Sequence, residues 1–103
     1  MAYRVEFHPK ALEDLERVIE FYSLKNVHAA QKIYTSFLVR FESHSQYPHR
    51  GRVVPEFLDE GISKYRELIE GHYRIVYRYT DKVVTIVRIV DSSALEDMQE
   101  DGK

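Results

Sequence analysis

The chemistry available to this chain rests on arginine and histidine. From Tyr65 the sequence runs YRELIEGHYRIVYRY and then, after Thr80-Asp81-Lys82, VVTIVRIV, which sets Arg66, Arg74, Arg78 and Arg88 among apolar and aromatic residues. A guanidinium fork matches a phosphate or a carboxylate with two parallel hydrogen bonds. Cations standing on a strand surface therefore suit a grip on a polyanion or on an acidic partner. Arg74 is the foremost candidate, lying mid-strand with His72 before it and Arg78 after it at the same parity. Its competing use is a cross-strand ion pair with Glu67 or Glu70. A second basic cluster, His49, Arg50 and Arg52, falls within four residues beside Gly51, where the backbone can turn sharply and present both arginines. His49 and His72 lie in the cationic region, and either could act as an acid or base near neutral pH.

Other chemistries lack their residues. The five histidines, at 8, 28, 44, 49 and 72, form neither an HxH nor an HExxH spacing, and there is no cysteine. No metal site, thiol nucleophile or disulfide is expected. No G-x-G-x-x-G or phosphate-loop pattern occurs, so no cofactor is expected either. His28 and His44 read as helix-surface residues. Tyr73, Tyr77 and Tyr79 could stack on bases, but their shared parity assigns them to a core. The chain has 15 basic and 17 acidic residues, a net charge of −2. Sequence-independent affinity for nucleic acid comes from neutralising phosphates, so any such grip must come from a local patch.

These residues need elements to hold them. With 103 residues the chain reads as one domain with one core. Residues 3–7 alternate with period two and predict a first strand. Pro9 suits the first turn of a helix, which carries Leu12, Leu15, Ile19 and Tyr22 as its apolar stripe and Glu13, Asp14, Glu16 and Arg17 on its polar side. Lys25-Asn26 ends that helix, and Asn26 can cap the next. A second helix over about residues 27–45 has Ala30, Ile33, Phe37 and Phe41 facing inward, with Leu38 alongside. The short connection predicts an antiparallel helix hairpin. Residues 48–62, PHRGRVVPEFLDEGI, read as irregular. Three strands follow over 63–70, 72–80 and 82–91, the last one interior because it is apolar on both faces. Tyr73, Ile75, Tyr77 and Tyr79 should lie under the helices and leave an open face carrying Arg74, with Arg66 sharing that face. The expected fold is α+β, ordered β-α-α-β-β-β, with a helix hairpin on one face of a small antiparallel sheet. The domain spans 1–91, followed by a polar, acidic and flexible tail over 92–103. No membrane-spanning run is present, and MAYRVEFHPK carries charges where a signal peptide would be apolar. Together with the absence of cysteine this suits the cytoplasm.

At this level the chain resembles the ParE/RelE superfamily, the toxins of type II toxin–antitoxin and plasmid-stabilisation modules. The likeness covers roughly residues 3–91. It rests on the opening strand with HPKALEDLERVIEFY, on YPHRGRVVPEF, on Arg66-Glu67-Leu68, on YRIVY at 73–77 and on VTIVRIV. RelE-like members cleave mRNA in the ribosomal decoding site, and that relationship implies catalytic roles for Arg66 and Arg74. ParE-like members poison DNA gyrase without being enzymes, and for these Arg50, Arg52, His49, His72 and Arg78 become binding residues. Both kinds imply a cognate antitoxin as partner, in a toxin–antitoxin hetero-oligomer or alongside a homodimer. RelE-like nucleases carry a His, Tyr or Arg after the last strand, where this chain has Asp91-Ser92-Ser93-Ala94. That departure and the acidic balance rank the gyrase poison first, the ribosome-dependent ribonuclease second and an inactive antitoxin-binding module third.

Overall fold

The computed structural model describes residues 3–92; residues 1–2 and 93–103, which include nearly all of the predicted tail, lie outside it. The elements are β1 (Arg4–Phe7), α1 (Pro9–Ser23), α2 (Val27–Gln46), β2 (Arg52–Val53), α3 (Pro55–Leu58), β3 (Arg66–Glu70), β4 (Tyr73–Tyr79) and β5 (Val83–Asp91). They form one five-stranded sheet in the order β1-β5-β4-β3-β2, with β5 interior as its two apolar faces predict. The α+β class and the element order are those read from the sequence. The sheet itself is mixed, because β1 runs parallel to β5 while every other pair is antiparallel. Two antiparallel helices between β1 and β2 supply the crossover that lets the first and last strands align in parallel.

Local chemistry sets the helix ends. His8 Nδ1 accepts from the Lys10 N–H, and Pro9 opens α1. Asn26 Oδ1 accepts from the Ala29 N–H at 2.7 Å, so Asn26 caps α2. Above the sheet, Phe37 stacks against Phe41 at 6.1 Å, Phe41 meets Phe7 edge-on at 4.9 Å, and Phe37 meets Tyr73 at 5.8 Å. This cluster continues into Ala11, Val18, Ile75, Tyr77, Val84, Ile86 and Ile89.

The phase of α1 differs from the expected one. Ala11, Asp14 and Val18 are buried, Leu15 and Tyr22 are half-buried, and Leu12 is exposed. The cause lies in β5. Val76 faces Arg88 and Tyr77 faces Ile86, which leaves Val87 as a bulge with no opposite number on β4. β1 stops at Phe7 opposite Ile86, so the outer edge of β5 beyond that point has no strand beside it. Asp14 takes the strand's place there: its Oδ2 accepts from the Ile89 N–H at 2.9 Å and from Arg88 Nε at 2.7 Å. An edge that would otherwise hold an unpaired N–H turns α1 so that its carboxylate faces inward.

The largest departure concerns the other face of the sheet. Residues 48–62 do not simply loop past it. β2 joins the sheet edge beside β3, and α3 folds beneath the sheet and closes a second core of Val54, Phe57, Tyr65, Val76 and Val87. The face carrying Arg74, expected to be open, is covered.

Candidate functional site

Under that cover the arginines and carboxylates form one chain of ion pairs. Arg74 is 5% exposed and Glu67 1%. The Arg74 Nε donates to Glu67 Oε1, while Nη1 and Nη2 donate to Glu56 Oε2 and Oε1 at 3.1 and 2.9 Å. Glu67 Oε2 in turn accepts from Arg52 Nε at 2.6 Å. Of the two cross-strand partners open to Arg74 in the sequence, the structure selects Glu67. It adds Glu56, which stands on the first turn of α3. Burial is the largest single influence and pushes the Glu56 carboxyl up, but the Arg74 hydrogen bonds, a backbone N–H and the charges of Arg74 and Arg52 together hold the group below its ordinary value. With two cations and two anions the charges cancel, and all three guanidinium nitrogens of Arg74 are engaged. Arg74→Ala, which an open-face arginine would tolerate, removes a buried partner from Glu67.

Arg66 does not share Arg74's face. It lies opposite Tyr77, whereas Arg74 lies opposite Ile69, so the two arginines project to opposite sides of the sheet. Arg66 Nη1 donates to the Gly51 carbonyl at 2.7 Å. The same segment is held from below by Tyr77, whose hydroxyl donates to the Pro48 carbonyl at 2.5 Å and accepts from the Gly51 N–H at 3.0 Å. A Cβ at Gly51 would stand 2.5 Å from both the Glu67 carbonyl oxygen and Tyr77 Oη, which explains a glycine there. Burial pushes the Tyr77 hydroxyl up from its ordinary value, which keeps it a neutral donor. Tyr77→Phe should cost the fold about 1–3 kcal/mol in urea denaturation, since the Pro48 carbonyl and Gly51 N–H then lose their partner.

His44, expected on a helix surface, is instead fully buried, at 0% exposure. Its ring meets that of Tyr77 edge-on at 4.3 Å, and neither ring nitrogen has a well-formed hydrogen bond among the described residues. The helix stripe read from Ala30, Ile33, Phe37 and Phe41 extends by one further turn to reach it. Burial lowers its pKa from 6.5 to about 4. A histidine held neutral when folded contributes its full stability above pH 6.5 and loses it progressively as the pH falls towards 4. Across that window the stability measured by urea denaturation should drop by up to about 3 kcal/mol, because each pH unit between the two values corresponds to about 1.4 kcal/mol. His44→Phe should flatten the loss.

The remaining cations divide by position. Arg52 on β2, Arg66 at the start of β3 and Arg78 at the end of β4 gather at one end of the sheet. Exposed His49 and Arg50 lie on the adjoining segment. Arg50 covers the Tyr47 ring at 4.9 Å, the Arg52 side chain is 62% exposed, and Arg78 Nη1 lies 3.4 Å from Thr85 Oγ1. His72 occupies the turn between β3 and β4, at the opposite end of β3, and its carbonyl accepts from the Ser92 N–H. The histidine pair is therefore not brought together. Among the described residues no group of three or more His, Cys, Asp or Glu side chains is arranged to hold a metal, and no helix is long and apolar enough to cross a membrane. The arrangement offers a rim of basic side chains for contact, with Arg74 wholly and Arg52 partly engaged in internal charge pairing. Sequence reasoning missed Asp14, Glu56 and His44; the apolar run VVPEF, which roofs Arg74, was the available signal for the second.

The fold is shared with solved toxin–antitoxin systems. One structure is the chromosomal ParDE system of P. aeruginosa, to which the chain is 19% identical with a TM-score of 0.68, over 87% of this chain and 96% of that one. Another is the RelBE2 toxin–antitoxin complex of Mycobacterium tuberculosis, at 23% identity and a TM-score of 0.60, over 88% and 99% of the respective chains. No curated protein matches the sequence significantly. The profile of the family described as the ParE toxin of the type II toxin–antitoxin system, parDE, matches residues 5–95. This chain belongs to the ParE toxin family of type II toxin–antitoxin systems.

Proposed function

We propose that this toxin acts by binding DNA gyrase in the cytoplasm, as a protein poison rather than as a ribonuclease, and that a cognate antitoxin holds it inactive. The observation that carries this reading is the sequestration of Arg74 between Glu67 and Glu56, with Arg66 on the opposite face of the sheet. Ribosome-dependent cleavage needs a cation free to meet a developing phosphate charge, together with an acid or base within reach. Here the central arginine is already neutralised and the two candidate histidines stand at opposite ends of β3. The rim of exposed His49, Arg50 and Arg52, with half-buried Arg78, is then the contact surface for the target.

The antitoxin is assigned to the helix hairpin. Leu24 at its tip is 84% exposed, and Phe21, Val27, Tyr34, Leu38 and Val39 are also exposed. An apolar surface of this kind on a small domain fits a partner that covers it. Beside it lies a shallow cleft of about 270 Å³ lined by Tyr22, Ala29, Lys32, Ile33 and Ser36.

Expression of the full chain without its antitoxin tests the reading in cells. Induction of the SOS response with filamentation is the expected outcome. Rapid arrest of translation with mRNA cut at codon positions would favour the RelE-like activity instead, and unaffected growth would favour an inactive antitoxin-binding module.

A further inference from the structure

The segment that carries His49, Arg50 and Arg52 is tied to Tyr77, whose ring lies against a buried histidine. α2 ends at Gln46, and the chain then passes through Tyr47 and the buried Pro48 to Gly51. Pro48 and Gly51 are held by Tyr77 Oη to the Pro48 carbonyl, the Gly51 N–H to Tyr77 Oη, and Arg66 Nη1 to the Gly51 carbonyl; Arg50 Nη1 also reaches Ser43 Oγ at 3.3 Å, and Arg52 is anchored separately in β2 opposite Glu67. The Tyr77 ring that makes two of them lies directly against His44.

We infer that His44 is an acid-sensitive latch, whose protonation releases the Tyr47–Gly51 segment from Tyr77 while the sheet stays folded. A neutral imidazole packs against Tyr77 and Phe41 as an aromatic ring. An imidazolium in the same place has two N–H donors and no well-placed acceptor. On its own helix the Arg40 carbonyl leans towards protonation, but burial outweighs it, and the Arg40 guanidinium opposes a second positive charge. From β4 the facing group is the Tyr77 hydroxyl, already committed to Pro48, with Tyr79 beyond it; from β3 it is Arg66, a second cation acting on the same hydroxyl. Glu70 on β3 is committed to the Arg40 guanidinium at 2.7 Å, and among the described residues no carboxylate acts on the His44 ring. The C-terminal turn of α2 favours a positive charge, but a ring with no access to water cannot use that preference. The least disruptive relief is to lift the short segment that follows α2. That hydrates His44 and breaks the hydrogen bonds at Pro48 and Gly51, with the Arg50–Ser43 contact, while the β2–β3 pairing at Arg52 and Val53 stays in place.

Hydrogen exchange on the full chain tests this, read by NMR at the Gly51 amide and corrected for the intrinsic pH dependence of exchange. Opening of the segment should rise roughly tenfold between pH 7.5 and pH 5.5, as expected for a group whose pKa goes from about 4 when closed to 6.5 when open. Amides in β4 and β5 should show no such rise, and in His44→Phe the Gly51 amide should not respond. Equal pH curves for Gly51 in the native chain and His44→Phe would overturn the inference. So would loss of protection at Gly51 and across the sheet together, since that is unfolding rather than a latch. Should His44→Phe fail to fold, the His44 ring titration in the native chain decides. A midpoint well below 6.5 that tracks Gly51 exchange supports the latch, and a midpoint near 6.5 with Gly51 still protected refutes it.

Discussion

Glu67→Ala is expected to destabilise the protein by about 3–5 kcal/mol, the range found when one member of a buried ion pair is removed. Among the described residues Glu67 is the carboxylate that bonds both Arg52 and Arg74, and it sits at 1% exposure. Its loss leaves Arg74 with Glu56 alone, whose side chain is 47% exposed and whose helix is a single turn. For a domain of this size such a loss is a large part of the total stability. Urea denaturation followed by circular dichroism gives the number directly. Replacing both Glu67 and Arg74 by leucine should recover much of it, because an apolar pair of similar volume avoids the desolvation of two charges. A single mutant within about 0.5 kcal/mol of the native chain, the usual scatter for a surface substitution, would mean that the network is ornamental to the fold. Arg74 would then be free again to act on a ligand.

Asp14→Ala should be of similar size, again about 3–5 kcal/mol, for a different reason. The carboxylate pairs with Arg88 and also supplies the acceptor for the Ile89 N–H at the point where β5 has lost its neighbouring strand. The Asp14 hydrogen bonds lead the causes that raise the pKa of Arg88, so the pairing favours the charged guanidinium. Asp14→Asn keeps an acceptor for the backbone and loses the charge, so it should cost distinctly less than Asp14→Ala. Equal costs for the two variants would show that the ion pair alone matters and that the strand edge needs no partner there.

These two carboxylates mark the limit of what the sequence discloses. Period-two alternation in β4 correctly places Ile75 and Tyr77 beneath the helices, and Asn26 announces the start of α2 through its capping chemistry. Both signals are local. The phase of α1 is not legible because Leu12 and Ile19 outweigh an aspartate in any apolar count. Asp14 turns inward only because a bulge at Val87 and the end of β1 at Phe7 leave an N–H unpaired on β5. The parallel pairing of β1 with β5 is a contact between the two ends of the chain, and no short window contains it. The candidate site is half legible. The residue types around Arg74 are right, but which face is open depends on residues 48–62, where Pro and Gly signal irregularity more strongly than Val54 and Phe57 signal a second core. Reading Arg66 onto the same face as Arg74 is a register error of one residue, the smallest slip that exchanges the two sides of a strand.

The consequence for function follows from the same register. An arginine bound to two carboxylates contributes to stability, and the cations left on the surface form a rim rather than a pocket. The most direct test is DNA supercoiling by purified gyrase in the presence of stoichiometric full-length protein. Inhibition of supercoiling, relieved by the cognate antitoxin and accompanied by intact ribosome-bound mRNA, is the predicted result. Unimpaired supercoiling together with mRNA cleavage on the ribosome that requires Arg74 would contradict it.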